Sequence, residues 1–212
     1  MHNEISTITQ QLFHKDNLEG VSEEDLDHFI GDVLSHSKNL KMSINITTVD
    51  FNTIISRTFM DLNYLDGASD VMVYRRVEGA EFNSDPWRIS EIFRNLVSNA
   101  IKYRQIDGGA KPEIKIEIRT NAQQAEIVFS DNGIGIAKEN LTKIFEMFYR
   151  ATEQSDGSGI GLYIVKNAVE KLGGSISVDS KVGFGTTFTI ILPNRFAESV
   201  AESSVPFAVE RS

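Results

Sequence analysis

The stretch Ser84–Tyr103, SDPWRISEIFRNLVSNAIKY, predicts one long amphipathic helix. Asp85 is a favoured N-cap residue, and Pro86 stands at the first helical position, where a missing backbone N–H is tolerated. Apolar residues then recur at helical spacing. They form a complete apolar face, which consists of Ile89, Ile92, Phe93, Leu96, Val97 and Ala100. A helix with such a face must bury it against another element, so the sequence predicts a layered domain around this segment.

The segments around this helix predict that the opposing layer is a β-sheet. VMVYRRV precedes the helix, and EIKIEIRT and QAEIVFSD follow it with the period-two alternation of a hairpin around NAQ. Farther along the chain come a second helix, GIGLYIVKNAVEKL, and two last strands, SISVDS and GTTFTIILP. Helices and strands mix without strict alternation, which favours an α/β sandwich, a mixed sheet with a layer of helices on one face. We expect an α+β fold.

The residues before Asn45 predict a helical hairpin. A short amphipathic helix precedes a long one over Ser22–Ile44, which the capping pattern SEED introduces. The long helix has only one short partner in its own chain, so its apolar stripe predicts a homodimer through these N-terminal helices. Composition changes between Asn45 and Asp50. The predicted parts are a hairpin over residues 1–46, an α/β domain over 47–194 and a tail over 195–212.

The net charge of −9 and the absence of cysteine exclude several classes of function. Binding to duplex nucleic acid needs clustered Lys and Arg, which the chain does not display. Without cysteine there is no disulfide, thiolate metal site or cysteine nucleophile. No apolar run approaches the roughly 18 residues of a membrane span. We therefore expect a cytoplasmic chain without nucleic-acid or membrane contacts of its own, although the full-length protein can be anchored elsewhere.

The predicted helix also carries a polar face. Asn95, Asn99 and Lys102 stand at i, i+4 and i+7 and therefore lie on one side, opposite the apolar stripe. An asparagine oxygen is a hard, neutral ligand that suits magnesium carrying nucleotide phosphates, and a nearby lysine neutralises those phosphates. The alternative is a solvated helix face without a ligand.

Two glycine clusters invite a nucleotide interpretation, but common templates do not fit them. SDNGIGI and DGSGIGLYIVK fail the pattern G-x-G-x-x-G because Lys138 and Leu162 occupy the third place. No Gly-Lys pair exists for a P-loop. The second cluster begins a helix, where bare backbone amides attract phosphate. It is equally typical of a flexible loop followed by close helix packing.

Between the two clusters, IFEMFYRA offers two aromatic rings and a cation. Phe145 and Phe148 suit a hydrophobic core better than a ligand contact. Arg150 either reaches a phosphate or lies in solvent. None of these motifs assigns a function alone, so their order along the chain carries the interpretation.

Five motifs, in this order and at this spacing, resemble the N box, first glycine box, F box, second glycine box and last glycine motif of sensor histidine kinases. They are NLVSNAIKY, DNGIGI, IFEMFYR, GSGIGLYIVK and GFGTTFTIILP. The resemblance covers about Asp50–Pro193. It implies an α/β sandwich with ATP between the helices and a mobile lid over about Phe148–Gly157.

The resemblance also implies roles for single residues. It assigns Asn99 to magnesium, Lys102 to phosphate and Tyr103 to the adenine side. Asp131 accepts a hydrogen bond from the exocyclic amine of adenine, a contact that rejects guanine, and Gly133 and Gly135 let the backbone pass close to the base. The other members of the implied ATP site are Gly157, Gly159 and Gly161 as lid hinge and phosphate nest, Phe148, Arg150 and Leu162, and Thr187 beside the adenine.

Asn95 distinguishes this chain from the ATP-hydrolysing members of the wider superfamily. Gyrase-type ATPases, heat-shock chaperones and mismatch-repair proteins carry a glutamate four residues before the magnesium asparagine, as general base for water. An amide at Asn95 cannot take a proton at neutral pH. The catalytic site therefore resembles one built for phosphoryl transfer to another acceptor.

The resemblance implies that this acceptor is a histidine on the first helix of the dimerising hairpin. His2 is the candidate at about the right distance, although the usual arginine and proline are absent. Otherwise the acceptor is missing or lies outside the chain. The phosphoryl group would pass on to the receiver domain of a response regulator. Two other interpretations stay open: a serine kinase of the anti-sigma type, and a non-catalytic ATP-binding interaction module.

Overall fold

The computed structural model of the protein describes residues 31, 37–39, 41–105, 110–151 and 159–195. His2, Gly157, almost all of the predicted hairpin and the tail beyond Arg195 lie outside the described residues. Within the described ranges, no helix is long and apolar enough to cross a membrane.

The core of the fold is a five-stranded mixed sheet. Its strands are β2 (Met72–Gly79), β4 (Glu113–Thr120), β5 (Gln124–Asp131), β6 (Ser175–Lys181) and β7 (Gly185–Pro193), in the order β2-β4-β5-β7-β6. The β2–β4 pair is parallel, whereas the other three neighbouring pairs are antiparallel. Two short strands, β1 (Thr47–Thr48) and β3 (Asn83–Ser84), form a separate antiparallel ladder. The prediction of a mixed sheet, including the β4–β5 hairpin, is confirmed.

Three helices cover one face of this sheet. They are α1 (Phe51–Asp61), α2 (Pro86–Lys102) and α3 (Gly161–Lys171), and α2 packs against both of the others. Asp85 caps α2 as predicted, since its Oδ1 accepts the Arg88 N–H at 3.1 Å. The alternating pattern of the strands turns one side toward the helices. The buried side includes Ile114, Ile116, Ile118, Ala125, Ile127, Phe129, Phe188, Ile190 and Leu192. The predicted α/β sandwich is therefore confirmed.

A buried ion pair ties the segment before the domain to the start of α2. Arg88 is 0% exposed and pairs with Asp85. Its guanidinium donates to Asn39 Oδ1 at 2.9 Å and to the Met42 carbonyl at 2.7 Å. Asp85 Oδ2 accepts the Asn45 N–H at 3.0 Å. We call Asp85, Arg88 and residues 39 and 41–45 the linker clamp. The boundary after residue 46 stays a prediction, and the domain bonds to residues that precede it.

Candidate functional site

The polar residues of α2 lie in three different environments. Asn95 is 6% exposed, donates to the Glu91 carbonyl at 2.8 Å, and its Oδ1 would lie 2.9 Å from a Cβ on Gly161. It therefore packs under the start of α3. Asn99 is half-buried and Lys102 is exposed, and neither side chain forms a hydrogen bond or ion pair with any residue in the described part of the chain. The C-terminal end of α2 thus keeps an amide and an ammonium available to a ligand.

Asp131 ends β5 with a carboxylate whose two oxygens differ. Its Oδ1 accepts the Gly133 N–H at 2.9 Å and the Thr186 N–H at 3.3 Å. No residue that the structure describes donates to its Oδ2. Burial raises the pKa of Asp131, although these two backbone hydrogen bonds oppose the shift. Asp131 is half-buried and its Oδ2 has acceptor capacity to spare, so Oδ2 suits a ligand N–H group.

The glycines after Asp131 are required by the protein backbone. A Cβ on Gly133 would lie 2.5 Å from the Tyr103 carbonyl oxygen, and one on Gly135, where φ is +70°, would lie 2.1 Å from the Lys181 carbonyl oxygen. Side chains at either position would therefore displace neighbouring backbone. The close neighbours are peptide groups of this chain, and the role that the resemblance implied, room for the base, stays a prediction.

The structure corrects the prediction for Thr187. Its hydroxyl lies 2.9 Å from Ser130 Oγ, on the face of the sheet opposite Asp131. Thr186 is the residue directly across from Asp131, and it is 6% exposed. A shift of one residue along a strand moves a side chain to the other face, which is why the two threonines differ. Thr186 Oγ1 lies 2.9 Å from Ser180 Oγ, so the neighbour of the carboxylate is itself held in place.

Phe148 and Gly159 meet at the base of the predicted lid. The Phe148 N–H donates to the Gly159 carbonyl at 3.0 Å. Phe148 has φ of +66°, the one positive value among the described non-glycine residues, and Gly159 has φ of +68°. A Cβ on Gly159 would lie 2.8 Å from the carbonyl carbon of Phe148.

Phe145 packs edge-on against Phe188 at 6.4 Å between ring centroids, which confirms its predicted core role.

The start of α3 offers backbone donors. Gly161 is its first residue, and Ile160 at the N-cap position provides no side-chain cap. The first N–H groups of a helix have no partner within the helix, and its dipole favours an anion there.

The remaining predicted site residues differ in burial. Leu162 is half-buried and packs on the core, and Arg150 is exposed. Tyr103 is half-buried where α2 ends, and its N–H bonds the Asn99 carbonyl at 2.9 Å.

Comparison with known proteins identifies the family of this domain. The sequence profile described as histidine kinase-, DNA gyrase B-, and HSP90-like ATPase matches residues 84–195, more than half of the chain. The chain belongs to this family. As a member of this ATPase family, it carries an ATP-binding domain. The end of α2, Asp131 and the start of α3 all lie within the matched residues.

Relatives within the family are sensor kinases. The autoinducer 2 sensor kinase/phosphatase LuxQ of Vibrio harveyi is 32% identical over an alignment of 195 positions, which covers 80% of this chain and 23% of LuxQ. The sensor protein SrrB of Staphylococcus aureus is 34% identical over an alignment of 143 positions, which covers 63% of this chain and 24% of SrrB. The chain thus spans about a quarter of the length of these curated relatives.

Solved structures agree with this assignment. The mycobacterial sensor histidine kinase MprB has a TM-score of 0.59 and 26% identity, over 70% of this chain and 99% of that one. The Acinetobacter baumannii histidine kinase AdeS has a TM-score of 0.65 at 21% identity, over 92% and 93%, which shows the fold alone. The predicted resemblance to the ATP-binding domain of sensor histidine kinases is confirmed.

Sequence reasoning missed two residues near Asp131, Thr186 and Gln105, and a third, Arg88, at the opposite end of α2. Thr186 could have been found, because the alternation in GTTFTIILP places it on the same face as the apolar Phe188. Arg88 follows Asp85 by three residues, a spacing that predicts a local ion pair but not its burial. Gln105 carries no motif signal, because its three acceptors come from two distant loops.

Proposed function

We propose that this chain is the kinase core of a two-component sensor histidine kinase. In this proposal it binds Mg-ATP, transfers the γ-phosphoryl group to a histidine, and passes it to an aspartate of a response-regulator receiver domain. The asparagine at position 95 is the observation that favours a kinase over a hydrolase. Its amide is packed under Gly161 and bonded to the Glu91 carbonyl, at the position where the hydrolases of the superfamily need a base.

Adenine recognition would rest on Asp131. With Oδ1 already bonded to two backbone N–H groups, Oδ2 is the oxygen that accepts from the exocyclic amine. Guanine presents a carbonyl at the equivalent position, so two acceptors would face each other there. Thr186, across the strand pair from Asp131, and Tyr103, at the end of α2, would complete the adenine side.

Phosphates and magnesium would bind between the end of α2 and the start of α3. Asn99 is the proposed metal ligand, which fits the magnesium preference for neutral and anionic oxygens. Among the described residues no cluster of three His, Cys, Asp or Glu could hold a metal, so the other ligands would come from the nucleotide phosphates and water. Magnesium bound there would offset phosphate charge. Lys102 would add a cation, and Gly161 would offer backbone donors. The proposed contacts from the lid are Gly157, Gly159, Phe148 and Arg150, with Leu162 behind them.

In the transfer step, a histidine nitrogen attacks the γ-phosphorus through its lone pair. The new N–P bond forms as the bond from the γ-phosphorus to the bridging oxygen breaks, and ADP leaves with that electron pair. A neutral imidazole needs no base to take a proton before it attacks, so an amide at Asn95 is no obstacle. His2 is the proposed acceptor within this chain, and the N-terminal helices would form the homodimer that presents it. Because ATP and receiver domains are cytoplasmic, we place the chain there.

The stability of the phosphoryl linkage tests this proposal. The purified chain is incubated with γ-labelled ATP and magnesium, and the labelled protein is then treated with acid or alkali. Acid-labile, alkali-stable label that disappears in Asn99→Ala supports a histidine kinase. Acid-stable label would instead indicate a serine kinase. Label that is absent while ATP still binds would favour a non-catalytic module. Loss of the label in His2→Gln identifies the acceptor.

Steady-state phosphate release provides the second test. Without a general base, hydrolysis loses a contribution of about 10²–10⁴-fold, so the unmodified chain should turn over far more slowly than one ATP per second. Turnover near one per second without any partner would show that water is the natural acceptor and would contradict the kinase proposal.

A further inference from the structure

Three backbone segments meet beside Asp131. They are the residues after α2, the loop after β5 and the turn between β6 and β7. The Ile134 N–H donates to the Tyr103 carbonyl at 3.0 Å, and the Gly183 N–H donates to the Ile134 carbonyl at 2.8 Å. These bonds join the loop to both of its neighbours. Gln105 belongs to the first of these segments, and its side chain reaches the other two.

Gln105 donates to a cluster of carbonyl oxygens. Its half-buried side-chain nitrogen lies 2.9 Å from the Gly133 oxygen, 2.9 Å from the Gly183 oxygen and 3.2 Å from the Asn132 oxygen. An amide nitrogen carries two hydrogens, so the three acceptors share them. The loop after β5 supplies two of the acceptors, and the β6–β7 turn supplies the third.

The bond to the Asn132 oxygen has a specific consequence. The Asn132 carbonyl and the Gly133 N–H belong to one planar peptide unit. Gln105 therefore donates to one end of the unit, while the other end donates to Asp131 Oδ1 at 2.9 Å. A hydrogen bond to a carbonyl polarises its peptide and strengthens the N–H as a donor. It also fixes the plane of the peptide, and with it the direction of the N–H.

We propose that Gln105 is a positioning residue for base recognition, acting on Asp131 through the Asn132–Gly133 peptide. The bond that it supports holds Oδ1, and Oδ2 is thereby kept for the exocyclic amine of the base. This inference rests on the proposed adenine contact of Asp131. Gln105 itself touches no nucleotide in this proposal, and its effect is confined to the amine contact.

A pair of nucleotides isolates that contact. ATP and purine riboside triphosphate differ only in the exocyclic amine, so the ratio of their dissociation constants measures what the amine contributes. Calorimetry on the whole chain gives this ratio for the unmodified protein and for each variant. We expect the unmodified chain to bind ATP about tenfold more tightly than purine riboside triphosphate.

Three variants then test Gln105. Gln105→Met keeps the length of the side chain and removes its donors, so the ratio should fall at least about threefold while purine riboside triphosphate binds as before. Gln105→Lys retains a donor and should restore most of the ratio. Arg104→Ala is the matched control, because it changes the adjacent residue, whose guanidinium bonds Asp66 at 2.7 Å, and it should leave the ratio unchanged.

A second measurement needs no nucleotide. In Gln105→Met, the amide-proton resonance of Gly133 should move upfield, because its hydrogen bond to Asp131 is weaker. An unchanged resonance overturns the inference even if the variant binds nucleotide poorly.

The outcomes separate the inference from the proposal beneath it. A ratio near one in the unmodified chain means that Asp131 does not read the amine, and the proposed adenine contact fails together with the role of Gln105. A ratio of about ten that persists in Gln105→Met overturns the inference alone. Equal loss of affinity for both nucleotides also overturns it, because Gln105 would then be a general support of the loops.

Discussion

The two ends of α2 place their polar side chains in opposite environments. At its N-terminal end, Asp85 and Arg88 are almost fully buried and bonded to each other and to residues 39, 42 and 45. At its C-terminal end, Asn99 and Lys102 have no partner among the residues that the structure describes. The first pair holds the start of the helix to the preceding segment, whereas the second pair stays available to a ligand. One helix therefore anchors the domain at one end and presents the site at the other.

The largest expected effect lies at the anchored end. Arg88→Met removes one partner of a buried ion pair and leaves Asp85 uncompensated, so the free energy of unfolding should fall by about 3–5 kcal/mol. Urea denaturation monitored by circular dichroism measures it. Arg76→Met is the matched control: Arg76 is 67% exposed, pairs with Glu78 at 2.7 Å, and should contribute less than about 1 kcal/mol. Similar losses in the two variants would contradict the role of the linker clamp.

At the C-terminal end of α2, a substitution should weaken nucleotide binding without lowering the stability of the fold. Asn99→Ala deletes the proposed magnesium ligand, so magnesium-dependent ATP affinity should fall by about 100-fold. The free energy of unfolding should change by less than about 0.5 kcal/mol, because no described residue bonds the side chain. Calorimetry with and without magnesium measures the first, and urea denaturation the second. Asn52→Ala, at an exposed position of α1, should alter neither. Equal affinity of Asn99→Ala and the unmodified chain would exclude Asn99 from the metal.

Asp131 has one carboxylate oxygen that is bonded within the chain and one that is available to a ligand. Asp131→Asn places an NH₂ group either against the N–H groups of Gly133 and Thr186 or against the amine of the base, since both sides need an acceptor. ATP affinity should fall at least about tenfold, from the lost hydrogen bond and the buried mismatch. Calorimetry measures this. Asp179→Asn, at an exposed position of β6, should bind ATP like the unmodified chain. If Asp131→Asn does the same, the adenine assignment is wrong.

The smallest effect is a pH dependence. Burial raises the folded-state pKa of Asp131 above the ordinary value of 3.8, so the folded chain holds this proton more tightly than the unfolded chain. Its stabilising contribution is complete below 3.8 and is lost as pH rises through the raised pKa. Asp131→Asn lacks this loss. As pH rises, Asp131→Asn should therefore gain stability relative to the unmodified chain. A difference in unfolding free energy that stays constant with pH would contradict the raised pKa.

Local patterns made most of the fold predictable. The alternation in EIKIEIRT and QAEIVFSD identifies the β4–β5 hairpin because one face of each strand is buried. The N-cap and apolar face of α2 fix its start, which the structure places at Pro86 as expected. The strands β1 and β3 could not be predicted, because two residues each are too few to show a period.

Contacts between distant segments were not predictable. The linker clamp joins residues 40 to 49 positions apart, and no local pattern predicts that Arg88 will be buried against Asn39. The same limit applies to Gly133, whose crowding comes from the Tyr103 carbonyl. The prediction that Asp131, Asn99 and Gly161 form one site stays a prediction, and it depends on the order of the motifs, because their spacing alone gives no tertiary arrangement.

The pairing of β5 with β7 has a consequence for how the protein folds. The hairpins β4–β5 and β6–β7 have short turns and can form locally, whereas joining them closes a long loop. Asp131 belongs to one hairpin and Thr186 to the other. Chains fold from the N-terminus during synthesis, so Asp131 and Thr186 can pair only after β7 has left the ribosome. We expect nucleotide affinity to arise in one late step, when the two hairpins join.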